Sequence, residues 1–132
     1  MKKIISALMC ITMLLSLCAC GNIVSVKSQN VNSKVYTQQE IDDAANVVKK
    51  YFFTYFGGCN LQELYYAGDD SLSLNQDFAE RNNADQVIVL NSSFYVEKAR
   101  KHDTLSEGST YRWHWILVRK NGGSWVNVSH GY

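Results

Sequence analysis

Residues 110–132 read TYRWHWILVRKNGGSWVNVSHGY. From Thr110 to Lys120, Tyr111, Trp113, Trp115 and Leu117 alternate with Arg112, His114, Ile116 and Val118. That two-residue period is the mark of a β-strand with unlike faces. Asn121-Gly122-Gly123 supplies residues that enter positive φ at little cost, the signal of a hairpin turn. Ser124–His130 returns as the partner strand. The face carrying Tyr111, Trp113 and Trp115 is either core under another element or an aromatic surface for a ligand, and register decides which. If Trp125 shares a face with Val118, the tryptophan ladder lies opposite; a slip of one residue puts Trp125 and the ladder on the same side.

Upstream, Gln86–Glu97 is a second β-rich run, interrupted by Asn91-Ser92-Ser93, where a bulge is expected. The charged and polar stretch Lys98–Ser109, containing His102 and Gly108, connects it to the hairpin. Asn60–Tyr66 alternates as a further strand, with Leu61, Glu63 and Tyr65 on one face and Gln62, Leu64 and Tyr66 on the other. Ala67–Ser71 is a turn, and Leu72–Asn82 holds the helix formers of a short helix.

The longest element precedes these strands. Thr37-Gln38-Gln39-Glu40 is a capping box, and Asp42 and Asp43 sit where a helix dipole favours acid. Ile41, Ala44, Ala45, Val48, Tyr51, Phe52, Tyr55 and Phe56 recur at helical spacing, and Gly57-Gly58 stops the run, giving an amphipathic helix of about 19 residues. The fold class that follows is α+β, with this helix packed across a curved antiparallel sheet of about four strands.

The first residues carry a different message. Lys2 and Lys3 precede an apolar run from Ile4 to Ala19, too short to span about 30 Å of hydrocarbon comfortably. Leu17-Cys18-Ala19-Cys20 at its end resembles the lipobox of bacterial lipoproteins. The resemblance implies cleavage before Cys20 and a diacylglyceryl thioether on its sulfur; the other reading is an ordinary signal peptide with Cys20 left as a spare thiol. The expected organisation is a signal peptide over residues 1–19, a lipidated Cys20 with a flexible linker to residue 36, and one domain over residues 37–132. The expected place is the extracytoplasmic side of the cell membrane, with the lipid bilayer as partner.

Of the four cysteines, removal of the signal discards Cys10 and Cys18 and leaves Cys59 as the one unblocked thiol. No internal disulfide framework is then expected, and stability has to come from a core. Net charge falls from +1 to −1 when Lys2 and Lys3 are removed. With no basic stripe, nucleic acid is not an expected partner.

The helix IDDAANVVKKYF, the segments GCNLQELYYAGD and ADQVIVLNSSF, and the closing RWHWILVRKNGGSWVNVSHGY together resemble a group of small Gram-positive lipoproteins with an uncharacterised domain of nuclear-transport-factor-2-like, or cystatin-like, cone fold. The resemblance implies a cone with room for a pocket between helix and sheet and brings no established chemistry. Enzymes on such cones use a pocket carboxylate or histidine with a tyrosine donor. Glu63 and His114 are the nearest counterparts here, with Tyr66 or Tyr111 as donors.

His102, His114 and His130 are too scattered for a local metal motif, no H-x-x-x-H or C-x-x-C spacing exists, and no metal or cofactor is expected. The function expected is non-catalytic binding of a small apolar or peptide ligand, or of an envelope protein, through Glu63, Tyr66, Tyr111, Trp113, His114 and Trp115. The alternatives are a pocket enzyme of isomerase or hydrolase type using Glu63 or His114, and an inhibitor of cystatin-like shape.

Overall fold

The computed structural model describes residues 21, 23, 27–28, 32–100 and 104–132. The signal segment, Cys20 and His102 lie outside the described residues. In chain order the elements are β1 (Lys27–Ser28), α1 (Gln38–Tyr55), β2 (Cys59–Tyr66), α2 (Asp70–Leu74), α3 (Gln76–Arg81), β3 (Gln86–Val96), β4 (Thr110–Arg119) and β5 (Val126–Gly131). The fold is α+β, with α1 packed against an open sheet in which β2 to β5 are antiparallel neighbours in sequence order. The two residues of β1 add a parallel edge to β2, so part of the segment expected to be a flexible linker is paired.

The capping box closes as its sequence dictates. Glu40 N donates to Thr37 Oγ1 at 3.2 Å and Thr37 N donates to Glu40 Oε2 at 2.8 Å. Ile41, Ala44, Val48 and Phe52 form the buried stripe of α1. At its far end Gly58 takes φ +80°, and a Cβ there would stand 2.1 Å from Lys98 O, so the stop requires glycine for both reasons. In the closing hairpin Asn121 and Gly122 both have positive φ, and Gly123 N donates to Lys120 O at 3.0 Å.

Register settles the faces. Leu90 pairs with Trp115, Ser92 with Trp113 and Phe94 with Tyr111, and all six side chains lie on the α1 side. Val118 pairs with Val126, so Trp125 turns to the ladder's side and joins the same core. Phe56 stacks on Phe52 at 4.7 Å and meets Phe94, Trp113 and Trp115 edge-on or tilted at 5.6–5.7 Å, which fills the space between helix and sheet with rings.

The sheet departs from plain alternation at two bulges, and neither is at Asn91–Ser93, where β3 runs in unbroken register with β4. One is at Gln62: Leu61 pairs with Phe94 while Glu63 pairs with Ser93. The extra residue shifts the phase of β2. Leu61 therefore joins Leu64 and Tyr66 in the core, and Glu63 and Tyr65 turn away from it, which corrects the expected grouping of Leu61 with Glu63. The other lies in β5, where Val128 is passed over between Asn127 and Ser129.

The short helix expected over Leu72–Asn82 is two helices, α2 and α3, broken at Asn75 with φ −122°. Asn75 Nδ2 donates to Ser71 O at 2.8 Å, a local bond that competes with helix continuation. From α3, Ala79 packs with Val87 and Val118 in a second, smaller core, to which Leu72, Phe78, Ala84, Ile116 and Val128 contribute. This cluster covers one half of the sheet face turned away from α1. The other half is where polar residues collect.

Candidate functional site on the open half of the sheet

On the uncovered half, the pairing of β2, β3 and β4 lays out two rows. Glu63, Ser93 and Arg112 form one, and Tyr65, Asn91 and His114 form the next. Strand spacing of about 4.8 Å and a two-residue step of about 6.8 Å put these six side chains within a patch roughly 10 Å across. They line a groove of about 310 Å³ whose floor is the Ser92–Trp113 pair between the rows. Beyond His114 the second row meets Gly131, which has no side chain to close that edge.

Each position follows from local structure. Glu63 and Tyr65 face the groove because of the bulge at Gln62. Asn91 and Ser93 face it because β3 keeps strict alternation through the polar interruption, which sends Ser92 to the other side. There Ser92 is buried and satisfied, accepting from Trp115 Nε1 at 2.7 Å. Arg112 and His114 are the polar half of the alternation whose aromatic half is the ladder.

The groove is wired along its rows. Ser93 Oγ donates to Glu63 Oε2 at 3.3 Å, and His114 Nδ1 lies 2.5 Å from Asn91 Oδ1. With the amide oxygen accepting, His114 Nδ1 is the donor of this bond. Arg112 is exposed and makes no hydrogen bond or ion pair among the described residues, so its five donors point to solvent. The patch thus presents a carboxylate, a guanidinium, an imidazole, a phenol and an amide within the reach of one small molecule. Among the described residues no group of three or more His, Cys, Asp or Glu side chains is arranged to hold a metal ion.

The six residues singled out from sequence part company here. Glu63 and His114 meet in the groove. Trp113 meets it only from beneath, its ring lying on the α1 side 5.1 Å from Phe94 and 5.7 Å from His130. Trp115 is fully buried in the main core, and Tyr66, 2 % exposed, donates its hydroxyl to Asp69 Oδ1 at 2.8 Å. Tyr111 stacks on Phe94 at 5.6 Å, and its hydroxyl oxygen accepts from Ser106 N at 2.8 Å. Tyr111 also lines a shallower hollow with Ser109, Thr110, Arg112 and Tyr132.

Arg112, Tyr65, Asn91 and Ser93 were missed from sequence. The signal for the last two was present: three polar residues inside an otherwise apolar strand mark a place where the sheet is uncovered as readily as a place where it breaks.

A separate polar cluster does structural work. Asp69 accepts from Ser33 Oγ at 2.6 Å, from Lys34 N at 2.8 Å and from Tyr66, tying the approach to α1 onto the turn after β2. The bond from Ser33 leads in holding the Asp69 carboxyl below its ordinary range. At the start of α1, Arg119 Nη2 reaches Glu40 Oε1 at 2.5 Å and Arg119 Nε reaches Gln86 Oε1 at 2.6 Å, with the guanidinium 4.3 Å over Trp125. The Arg119 bond is the main reason the Glu40 carboxyl is held below its ordinary value.

No family model matches the chain, and no curated protein or solved structure shows significant similarity to it.

Proposed function

We propose that this chain is a lipoprotein of the extracytoplasmic membrane face, anchored through Cys20 and built on a nuclear-transport-factor-2-like cone, that works as a non-catalytic binding module. The lipobox and its apolar run support the anchor; the helix lying across four antiparallel strands, with a closing hairpin, supports the cone. Among the described residues no helix is long and apolar enough to cross a membrane. The ligand reading departs from the apolar pocket expected between helix and sheet, because aromatic rings occupy that space.

The observation that carries the reading is the two-row polar groove on the open half of the sheet. Its charges are separated, with Glu63 on β2 and Arg112 on β4. That arrangement fits a small zwitterionic ligand such as a short peptide, its ammonium toward Glu63 and its carboxylate toward Arg112. Fixed polar groups at a concave site set orientation, while the Ser92–Trp113 floor supplies contact area. A docked envelope protein would use the same groups through an exposed chain end.

The test is calorimetric titration of the chain in detergent with tripeptides bearing free termini, alongside the same peptides amidated at the C-terminus. Saturable binding that falls about ten-fold or more on amidation and in Arg112→Ala is expected, a charge-assisted hydrogen bond being worth about 1.5–3 kcal/mol. Equal binding by both peptide forms would rule out the guanidinium contact. A second reading rests on His114, which lines the same groove as Glu63 from β4 and makes an imidazole available as a general base. Turnover of bound peptide that disappears in His114→Gln with binding retained would favour that enzyme reading.

A further inference from the structure

Gly21, one peptide bond after the residue proposed to carry the lipid, is buried against the C-terminal end of α1. Its N–H donates to Phe53 O at 3.0 Å. A Cβ at this position would stand 2.6 Å from Phe52 O and 2.9 Å from both Phe52 Cδ1 and Phe56 O, so only glycine fits the approach. Two residues on, Ile23 packs against the main core, and Lys27–Ser28 pairs with β2. A leash some fifteen residues long would let the domain tumble tens of ångströms from the bilayer. Docking of Gly21 removes that freedom. Consecutive Cα atoms are about 3.8 Å apart, so an anchor on the preceding residue is one residue from this contact.

The surface around that point suits a bilayer. Phe53 and Tyr55, two of the few large apolar side chains left in the open, are 47 % and 55 % exposed on the last turn of α1. Lys98 and Arg100 are exposed at the same end: Lys98 N donates to Gly58 O, and Arg100 Nη2 donates to Tyr55 O at 2.7 Å. Glu97, the acid beside them, accepts from Asn60 Nδ2 at 3.1 Å. Aromatic side chains favour the interfacial zone of a membrane, and cations there are drawn to anionic headgroups.

We propose that Gly21 pins the anchored end of the chain to the C-terminal end of α1, so that Phe53, Tyr55, Lys98 and Arg100 lie against an anionic bilayer and fix the orientation of the domain. The proposal rests on the lipoprotein reading and adds to it a membrane-facing surface. It also sets the function in space: α1 spans about 27 Å along its axis, so its N-terminal end, with the Asp69 tie and α2, points away from the membrane.

The test uses the full chain, purified from bacterial membranes and placed in vesicles of phosphatidylcholine and phosphatidylglycerol. A fluorophore is attached through Thr54→Cys or, on α2, through Leu74→Cys, and quenched by lipids carrying a nitroxide near the headgroup. Quenching at position 54 roughly three-fold or more above that at 74 is expected, given the depth to which interfacial aromatics settle. Gly21→Val should bring the two positions together, and so should the double variant Phe53→Ser/Tyr55→Ser, which alters exposed side chains only. Equal quenching at 54 and 74 in the unaltered background, on a chain whose mass includes the diacylglyceryl group, would overturn the surface and leave the anchor standing. A chain whose mass lacks that group would overturn both.

Discussion

The two halves of the sheet face turned away from α1 share the strands β3 and β4, yet they have opposite chemistry. Toward the closing hairpin, Val87, Ile116 and Val118 are covered by Ala79, Phe78 and Leu72 from the two short helices. Toward the start of β4, Glu63, Tyr65, Asn91, Ser93, Arg112 and His114 are covered by nothing among the described residues and line a groove. The contrast shows how the chain separates stability from recognition within one layer. Where a helix lies on the sheet the outward positions are β-branched and apolar; where none does they are hydrogen-bonding and charged. Beneath both halves the α1 face is continuous core, so side chains removed from the groove leave the fold standing.

The contrast can be broken most forcefully from the core side. Trp115→Ala deletes a fully buried indole and leaves Ser92 Oγ without its donor; a loss of about 3–5 kcal/mol in chemical denaturation is expected. Deleting Gln62 removes the bulge that places Leu61 inside and Glu63 outside. Either Leu61 is expelled or the pairing beyond Ser93 slips, and a cost of about 2–3 kcal/mol is expected, with Glu63 no longer bonded by Ser93.

Arg119→Met comes next. It strips Glu40 and Gln86 of a shared partner on a residue only 9 % exposed, and a cost of about 1–3 kcal/mol near neutral pH is expected. Its pH dependence has a definite sign. The folded-state Glu40 carboxyl lies below its ordinary value of 4.5, so its contribution is present above that value and is lost as pH falls through the lowered one. Denaturation midpoints for Arg119→Met should therefore fall less steeply with acid than those of the parent chain. The smallest effect belongs to the groove: Glu63→Gln and His114→Gln, singly or together, should change stability by no more than about 0.5 kcal/mol. A loss as large as that from Arg119→Met would mean that the open half is structural after all.

These contrasts follow how much of the molecule its sequence makes legible. The capping box at Thr37, the helical stripe through Phe52 and the turn at Asn121-Gly122 are read directly, because each is decided by residues within a few positions of one another. The phase of β2 is not, since a bulge at Gln62 depends on which residues of β3 stand opposite. Hence Glu63 is legible as a candidate but not its neighbours in space, and Leu61 is grouped with Glu63 and Tyr65 although the bulge separates them. The tryptophan ladder is legible as a face, but its role as core is fixed only by the pairing of Val118 with Val126. The two-residue edge strand at Lys27 has no periodicity to find; it exists through its pairing with β2. Of the groove, Glu63 and His114 are visible in advance, while Arg112 is hidden because a cation on an alternating strand looks like an ordinary solvated face.

The most direct test of the account is backbone chemical-shift mapping of the chain during titration with a free-termini tripeptide. Saturable shifts at Glu63, Tyr65, Asn91, Ser93, Arg112 and His114, with the amides of α1 and of residues 120–125 unmoved, are the result it predicts. Saturable shifts centred on Phe52, Phe56 and the α1 side of Trp113, with the six groove positions silent, would contradict it and return the ligand to the space between helix and sheet.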